Sequence, residues 1–199
     1  MTTAPVPGRS VERRAELLDA AARVIRSRGP DVSMAAIAAE AGITKPILYR
    51  HFGDKGGLFR ALAERQTEEL LSDIREAMLA PGTPRERTTN TIDAYLAAIE
   101  KQPAVYRFVV GRAIAEEPSV AGQVEGFQER LAQELAAVIR SDLRLPAVRA
   151  QVWAHATVGM VRAAGEWWLG AQSVSRARLV RELVDLLFPG LSSELDAAR

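Results

Sequence analysis

Apolar residues recur at spacings of three and four along almost the whole chain, and no stretch shows the clean period-two alternation of a half-buried strand. The pattern predicts an all-α protein of about nine helices. Ser10 is positioned to cap a first helix with the stripe Leu17, Leu18, Ala21, Ala22 and Ile25, and Gly29-Pro30 ends it. Two short helices are expected next. One covers residues 34–41 and is capped by Ser33; the other is capped by Thr44 and runs to about residue 52. Asp54 caps a long fourth helix over residues 55–79, with Leu58, Phe59, Leu62, Leu70, Leu71, Ile74 and Met78 at helical spacing. Pro81-Gly82-Thr83-Pro84 is the clearest loop. Five more helices are expected: 85–101, 104–116, 118–143, 147–171, and a last one capped by Ser175 that stops before Pro189-Gly190.

The segment 32–58 reads VSMAAIAAEAGITKPILYRHFGDKGGL. Two helices of about two turns are joined by Ala41-Gly42-Ile43-Thr44, where Gly42 permits the left-handed backbone of a sharp turn and Ile43 plugs the gap. This is the layout of a helix-turn-helix, whose second helix enters the DNA major groove. Leu48 and Phe52 are four apart and anchor one side of that helix. Lys45, Pro46, Ile47, Tyr49, Arg50 and His51 cover the rest. Lys and Arg donate to phosphates and guanine edges, while Ile and Pro suit a thymine methyl. The expected organisation is an arm over residues 1–9, a helix-turn-helix head over 10–54, and a regulatory and dimerisation domain over 55–199.

Charge sharpens this picture. Through Arg60 there are ten Lys/Arg against six Asp/Glu, a net of +4. The remainder has sixteen against nineteen, a net of −3, and the whole chain is +1. A basic first third points to an anionic partner. Apolar residues are 48% and charged residues 26%, the balance of a folded protein. With no cysteine there is no disulfide framework, thiolate zinc site or cysteine nucleophile, and two histidines are too few for a three-histidine metal site. No cofactor and no metal are expected. There is no GxSxG elbow, P-loop, HExxH or GxGxxG motif, so an enzyme is not expected. A helical enzyme and a protein-binding scaffold without DNA are the competing readings. No apolar run approaches the roughly 18 residues of a spanning helix, and residues 1–10 lack a signal-peptide core, so the expected location is cytoplasmic.

The stretch from about residue 12 to 62 resembles the N-terminal domain of the TetR family of transcriptional regulators. The resemblance is carried by Leu18-Asp19-Ala20-Ala21, Arg28-Gly29, Val32-Ser33-Met34, Ile37-Ala38, Glu40-Ala41-Gly42-Ile43, Leu48-Tyr49-Arg50-His51-Phe52, and Lys55 with Leu58. It implies a repressor that binds a palindromic operator as a homodimer and is released by a small hydrophobic molecule. It also implies DNA contacts from Lys45, Pro46, Ile47, Tyr49 and His51, with Ser33 and Lys55 on phosphates; Thr44 and Arg50 complete the candidate set. Two departures stand out. Ala35 and Ala36 occupy the start of the second helix, where larger polar residues are common, and Gly56-Gly57 opens the fourth helix, at a cost of about 1 kcal/mol each if helical.

Other features read two ways. Arg9, Arg13 and Arg14 are either a phosphate-seeking cluster or a solvated helix start. His155 is either a hydrogen-bonded core histidine or a ligand contact. Trp153, Trp167 and Trp168 suit either a pocket or ordinary core and dimer seam. Arg112/Glu116 and Arg162/Glu166 are spaced as surface pairs. The candidate ligand residues are Tyr95, Tyr106, Arg107, Phe108, Arg112, Phe127, Trp153, His155, Met160 and Trp167, with Glu166 as a further polar candidate. The dimer seam is expected at Ala156, Gly159 and Ala163 with Leu179, Leu183 and Leu187, because the last helix is apolar on more than one face.

Overall fold

The computed structural model describes residues 7–29, 31–171 and 173–188. Among these the chain forms nine helices and no strand. The first four are α1 (Pro7–Arg28), α2 (Met34–Glu40), α3 (Lys45–Phe52) and α4 (Lys55–Leu79). They are followed by α5 (Pro84–Lys101) and by α6, which has three parts: Pro103–Arg107, a π turn over Phe108–Ala113, and Ile114–Glu116. The last three are α7 (Pro118–Leu143), α8 (Ala147–Ala171) and α9 (Arg176–Leu187).

The local signals act as expected at most boundaries. The Ser33 hydroxyl accepts from the Ala36 N–H at 3.2 Å and Ser175 accepts from Arg178, each satisfying a free donor of a helix start. Asp54 does the same for the N–H of Gly57 at 2.6 Å. Gly42, with φ of +64°, makes the sharp turn between α2 and α3. Ser10 is not a cap: α1 begins at Pro7, a residue suited to a first helical turn because its missing N–H has no partner to lose. The expected arm therefore shrinks, and residues 1–6 lie outside the described residues. The predicted helix over 104–116 exists but carries the π turn, which helical periodicity does not reveal.

The chain divides into two units, at a place other than the expected boundary at residue 54. The head unit runs up to Thr67 and also takes Gln102–Val124. Its core joins Leu17, Ile25, Ile37, Leu48, Phe52 and Leu58 to Val105, Phe108 and Val120. Burying each such side chain contributes about 1.5–3 kcal/mol, so α6 is part of the head because its apolar face is buried there. The Phe59 and Phe108 rings meet edge to face, with centroids 4.8 Å apart.

The second unit takes Glu68–Lys101 and the chain from Glu125 onward. Here α9 packs on α5 and buries Leu179, Val180, Leu183 and Val184. Arg176 ties the start of α9 to Asp93 and Glu100 of α5. Helices α5 and α8 approach closely at Gly165, where a Cβ atom would lie 3.0 Å from both Ile99 Cδ1 and Tyr95 Cε1. Among the described residues no helix is long and apolar enough to cross a membrane.

Candidate functional site

Helix α3 is anchored by two side chains and displays the rest. Leu48 and Phe52 are buried. Lys45, Pro46, Tyr49 and Arg50 are exposed, Tyr49 at 37%, and Ile47 and His51 are half-buried beside them. Thr44 starts the helix with an exposed hydroxyl that makes no capping bond. An eight-residue helix with a single buried edge thus presents a cation, a phenol and an apolar residue outward together. That is a surface able to reach base edges and phosphates at once.

The fold also brings the start of α1 to the end of α3. The Arg14 guanidinium lies 5.2 Å from the centroid of the Phe52 ring, and Arg13 pairs with Glu16 at 2.6 Å. Burial pushes the His51 imidazole below its ordinary value of 6.5, and the charges of Arg50, Arg13 and Arg14 push it further the same way. The Arg9 side chain lies outside the described residues. His155 is the opposite case. Its Nδ1 lies 2.9 Å from the Gln151 carbonyl oxygen and its Nε2 lies 3.1 Å from Glu129 Oε2. Both ring nitrogens face acceptors, which favours the doubly protonated form and raises its pKa. These are the only two histidines, so proton NMR of the ring signals is expected to show one titration below 6.5 and one above it. The signs for stability follow. The His155 contribution is full below 6.5 and is lost as pH rises through its folded value; His51 costs stability as pH falls below 6.5. Two titrations on the same side of 6.5 would contradict these surroundings.

Lys55, expected on a phosphate, has its ammonium 2.7 Å from Glu116 Oε2 and 5.2 Å from the Phe59 ring centroid, so without DNA it is bonded within the head. Arg60 pairs with Glu117 at 3.3 Å. Sequence reading missed both acids as partners of α4, since they arrive through α6 from some 60 residues away. Gly57 has a structural reason. A Cβ on Gly57 would lie 1.8 Å from the Phe52 carbonyl oxygen, so close passage of the α3 end over α4 requires glycine there.

A cavity of about 500 Å³ lies in the second unit. Its walls are mainly apolar: Met78 from α4, Ile92 from α5, Leu135, Val138, Ile139 and Leu143 from α7. Trp153, Ala156 and Met160 of α8 and Leu187 with Phe188 complete them. Its polar groups are Arg87, Thr88 and Thr91 of α5, Asp142 of α7 and Thr157 of α8. Of the ten expected ligand residues the cavity takes Trp153 and Met160. Tyr106, Arg107 and Phe108 belong to the head unit instead, because α6 buries its apolar face there. Tyr95 and Phe127 are buried core residues, Trp167 is exposed at 55%, and His155 is exposed and paired with Glu129. The Arg112 side chain lies outside the described residues. Glu166 pairs with Arg162 at 2.6 Å, as the spacing predicted.

The expected dimer residues also separate. Ala156, Gly159 and Ala163 are exposed on α8. Leu179 and Leu183 are only 6% exposed and pack within the chain as α9 lies on α5, and Leu187 lines the cavity. Most of the apolar excess of α9 is thus absorbed inside the chain, while Leu186 stays exposed.

Comparison with known proteins decides the family. Residues 17–62 match the bacterial regulatory proteins of the tetR family, and residues 73–199 match the tetracyclin repressor-like C-terminal domain. The chain belongs to the TetR family. It is 32% identical over 183 residues to the HTH-type transcriptional activator FasR of Mycolicibacterium smegmatis, spanning 91% of this chain and 84% of that one. It is also 32% identical over 191 residues to an HTH-type transcriptional regulator of Mycobacterium tuberculosis, spanning 94% and 80%. Among solved structures, a TetR-like transcriptional regulator from Rhodococcus sp. RHA1 superposes with a TM-score of 0.72 at 26% identity, covering 90% of this chain and 96% of that one. A TetR-family regulator from Streptomyces coelicolor shares the fold, with a TM-score of 0.75 at 22% identity over 94% and 83%. This TetR-family chain is a DNA-binding transcription regulator and not an enzyme.

Proposed function

We propose that this regulator acts as a homodimeric repressor that grips a palindromic operator with two α3 helices and releases it when a small hydrophobic molecule fills the cavity. The observation that carries the reading is the pairing, in one chain, of an outward-facing basic α3 with an apolar cavity of about 500 Å³. Helix α4 serves both: its first turn supplies Leu58 and Phe59 to the head, and its last turn supplies Met78 to the cavity. A ligand regulates binding only by preferring one of two states, and a hundredfold loss of operator affinity needs about 2.7 kcal/mol of such coupling. Gel shifts with the DNA upstream of its own gene, with and without hydrophobic metabolites, test the reading. A complex that no cavity ligand weakens would overturn the release mechanism.

In this reading Pro46 and Ile47 meet base edges, Lys45 reaches both a base edge and a phosphate, and Ser33, Thr44, Tyr49, Arg50 and His51 meet the backbone. Lys45→Ala and Tyr49→Ala are expected to weaken operator binding at unchanged thermal stability, since both side chains are exposed. Loss of the Lys45 charge is expected to flatten the slope of log affinity against log salt by about one unit per contact. Fluorescence anisotropy across a salt series measures affinity and slope together, and wild-type affinity in both variants would displace the interface from α3.

The dimer reading rests on α8. Val148, Val152, Ala156, Gly159, Ala163 and Trp167 recur at spacings of four, four, three, four and four, and all are exposed. A helix face this apolar suits close pairing with its symmetry mate. Ala163→Glu is expected to give a monomer by light scattering and at least about a tenfold loss of operator affinity, because the two half-sites are then bound separately. A second reading, activation, is favoured by the similarity to the Mycolicibacterium smegmatis activator. Deletion of the gene separates the two: target transcription rises for a repressor and falls for an activator.

A further inference from the structure

The polar groups of the cavity specify what it accepts. Among the described residues, the only charged side chains lining it are Arg87 and Asp142, and these pair with each other. Arg87 is held further by donating Nη1 to the Gly82 carbonyl oxygen at 2.6 Å. The wall is therefore electrically balanced before any guest enters. An anionic guest at Arg87 must displace Asp142 and leave that carboxylate unpaired, and a cationic guest at Asp142 does the same to Arg87. Either leaves a partly buried charge uncompensated.

The two α5 hydroxyls add a second constraint. Thr88 Oγ1 donates to the Pro84 carbonyl oxygen at 2.8 Å, and Thr91 Oγ1 donates to the Arg87 carbonyl oxygen at 2.7 Å. Each hydroxyl has one proton, and in both cases a helix carbonyl already takes it. What these two residues offer a guest is lone pairs. They are three apart on α5 and so form one accepting strip on the cavity wall.

From this geometry we infer that the cavity takes an uncharged hydrophobe carrying a hydroxyl group, an aliphatic alcohol in its simplest form, whose O–H donates to the Thr88–Thr91 strip. The inference rests on the reading of the cavity as the effector site and adds the ligand class to it. Its size falls within the range of small-molecule sites.

A matched series tests it by titration calorimetry on the full chain at pH 8: 1-decanol, 1-methoxynonane, decanoate and decylammonium. The decanol and the ether contain the same atoms and differ only in the donor. Decanol is expected to bind about tenfold tighter than the ether and than either ion. In the Thr88→Val/Thr91→Val double variant, which keeps side-chain shape, decanol is expected to fall to the affinity of the ether and the ether to stay unchanged. Decanoate or decylammonium binding as tightly as decanol would overturn the ligand class and leave the effector site standing. So would an alcohol affinity unmoved by the double variant in which the ether still binds. No binding by any member of the series would overturn the effector site itself.

Discussion

Phe108→Ala is expected to destabilise the head unit by about 3–5 kcal/mol, the range for truncating a fully buried phenylalanine. Phe108 has no exposed surface, and its ring stands edge to face against Phe59 of α4. The core it occupies also holds Leu48 and Phe52, the two side chains that seat α3. A domain is stable by only about 5–15 kcal/mol in total, so a large part of the population is expected to lose an ordered α3. Urea denaturation measures the stability, and gel shifts show operator binding falling with it. The result also discriminates between two domain divisions. Were α6 part of a separate regulatory domain, the variant would leave DNA binding intact; a head built partly from α6 makes the two losses move together.

The largest effect from a single added methyl group is expected at Gly57. In a helix, Gly→Ala ordinarily gains up to about 1 kcal/mol, and both Gly56 and Gly57 lie in the first turn of α4. Their surroundings reverse the sign at one and not at the other. At Gly57 the new atom would fall 1.8 Å from the Phe52 carbonyl oxygen and 3.0 Å from its carbon, and backbone has no rotamer to retreat to. The end of α3 must lift away from α4, which disturbs Phe52 and the seat of the recognition helix. Gly57→Ala is expected to reduce operator affinity more than a hundredfold. At Gly56 the clash is with Glu117 Oε2, at 2.0 Å, the far end of a side chain that can swing aside. The loss there is the partly exposed Arg60–Glu117 pair, a few tenths of a kcal/mol. Gly56→Ala is therefore expected to bind and melt close to wild type. Equal behaviour of the two variants would refute the tight passage at Gly57.

The head was legible in the sequence and the cavity was not, and the difference is physical. Segment 32–58 folds by local rules. Ser33 caps, Gly42 turns, Leu48 and Phe52 repeat at four, and the remaining α3 positions are exposed by default. The cavity draws residues from five helices separated by as many as 110 positions in sequence, and no local period marks them. Large aromatic side chains were a poor guide to it. Tyr95, Phe108 and Phe127 fill space, as their size favours, and what remained open was walled by Leu135, Val138 and Ile139 with threonines. The ionic partners of α4 were equally hidden. Glu116 meets Lys55 only through the packing of α6, so nothing near Lys55 in sequence marks the pair.

The π turn over Phe108–Ala113 makes that meeting depend on arithmetic. A helix with one wide turn accommodates one more residue than a regular helix spanning the same path. Every position after it is rotated by about 100° from where uninterrupted α geometry would put it. Glu116 and Glu117 come three and four residues after the wide turn, and they pair with Lys55 and Arg60 of α4. The ionic closure of the head is thus written in the length of a helix segment as much as in its letters. Substitutions within that turn that keep six residues preserve the register of the two acids, whereas removal of any one residue turns both away together.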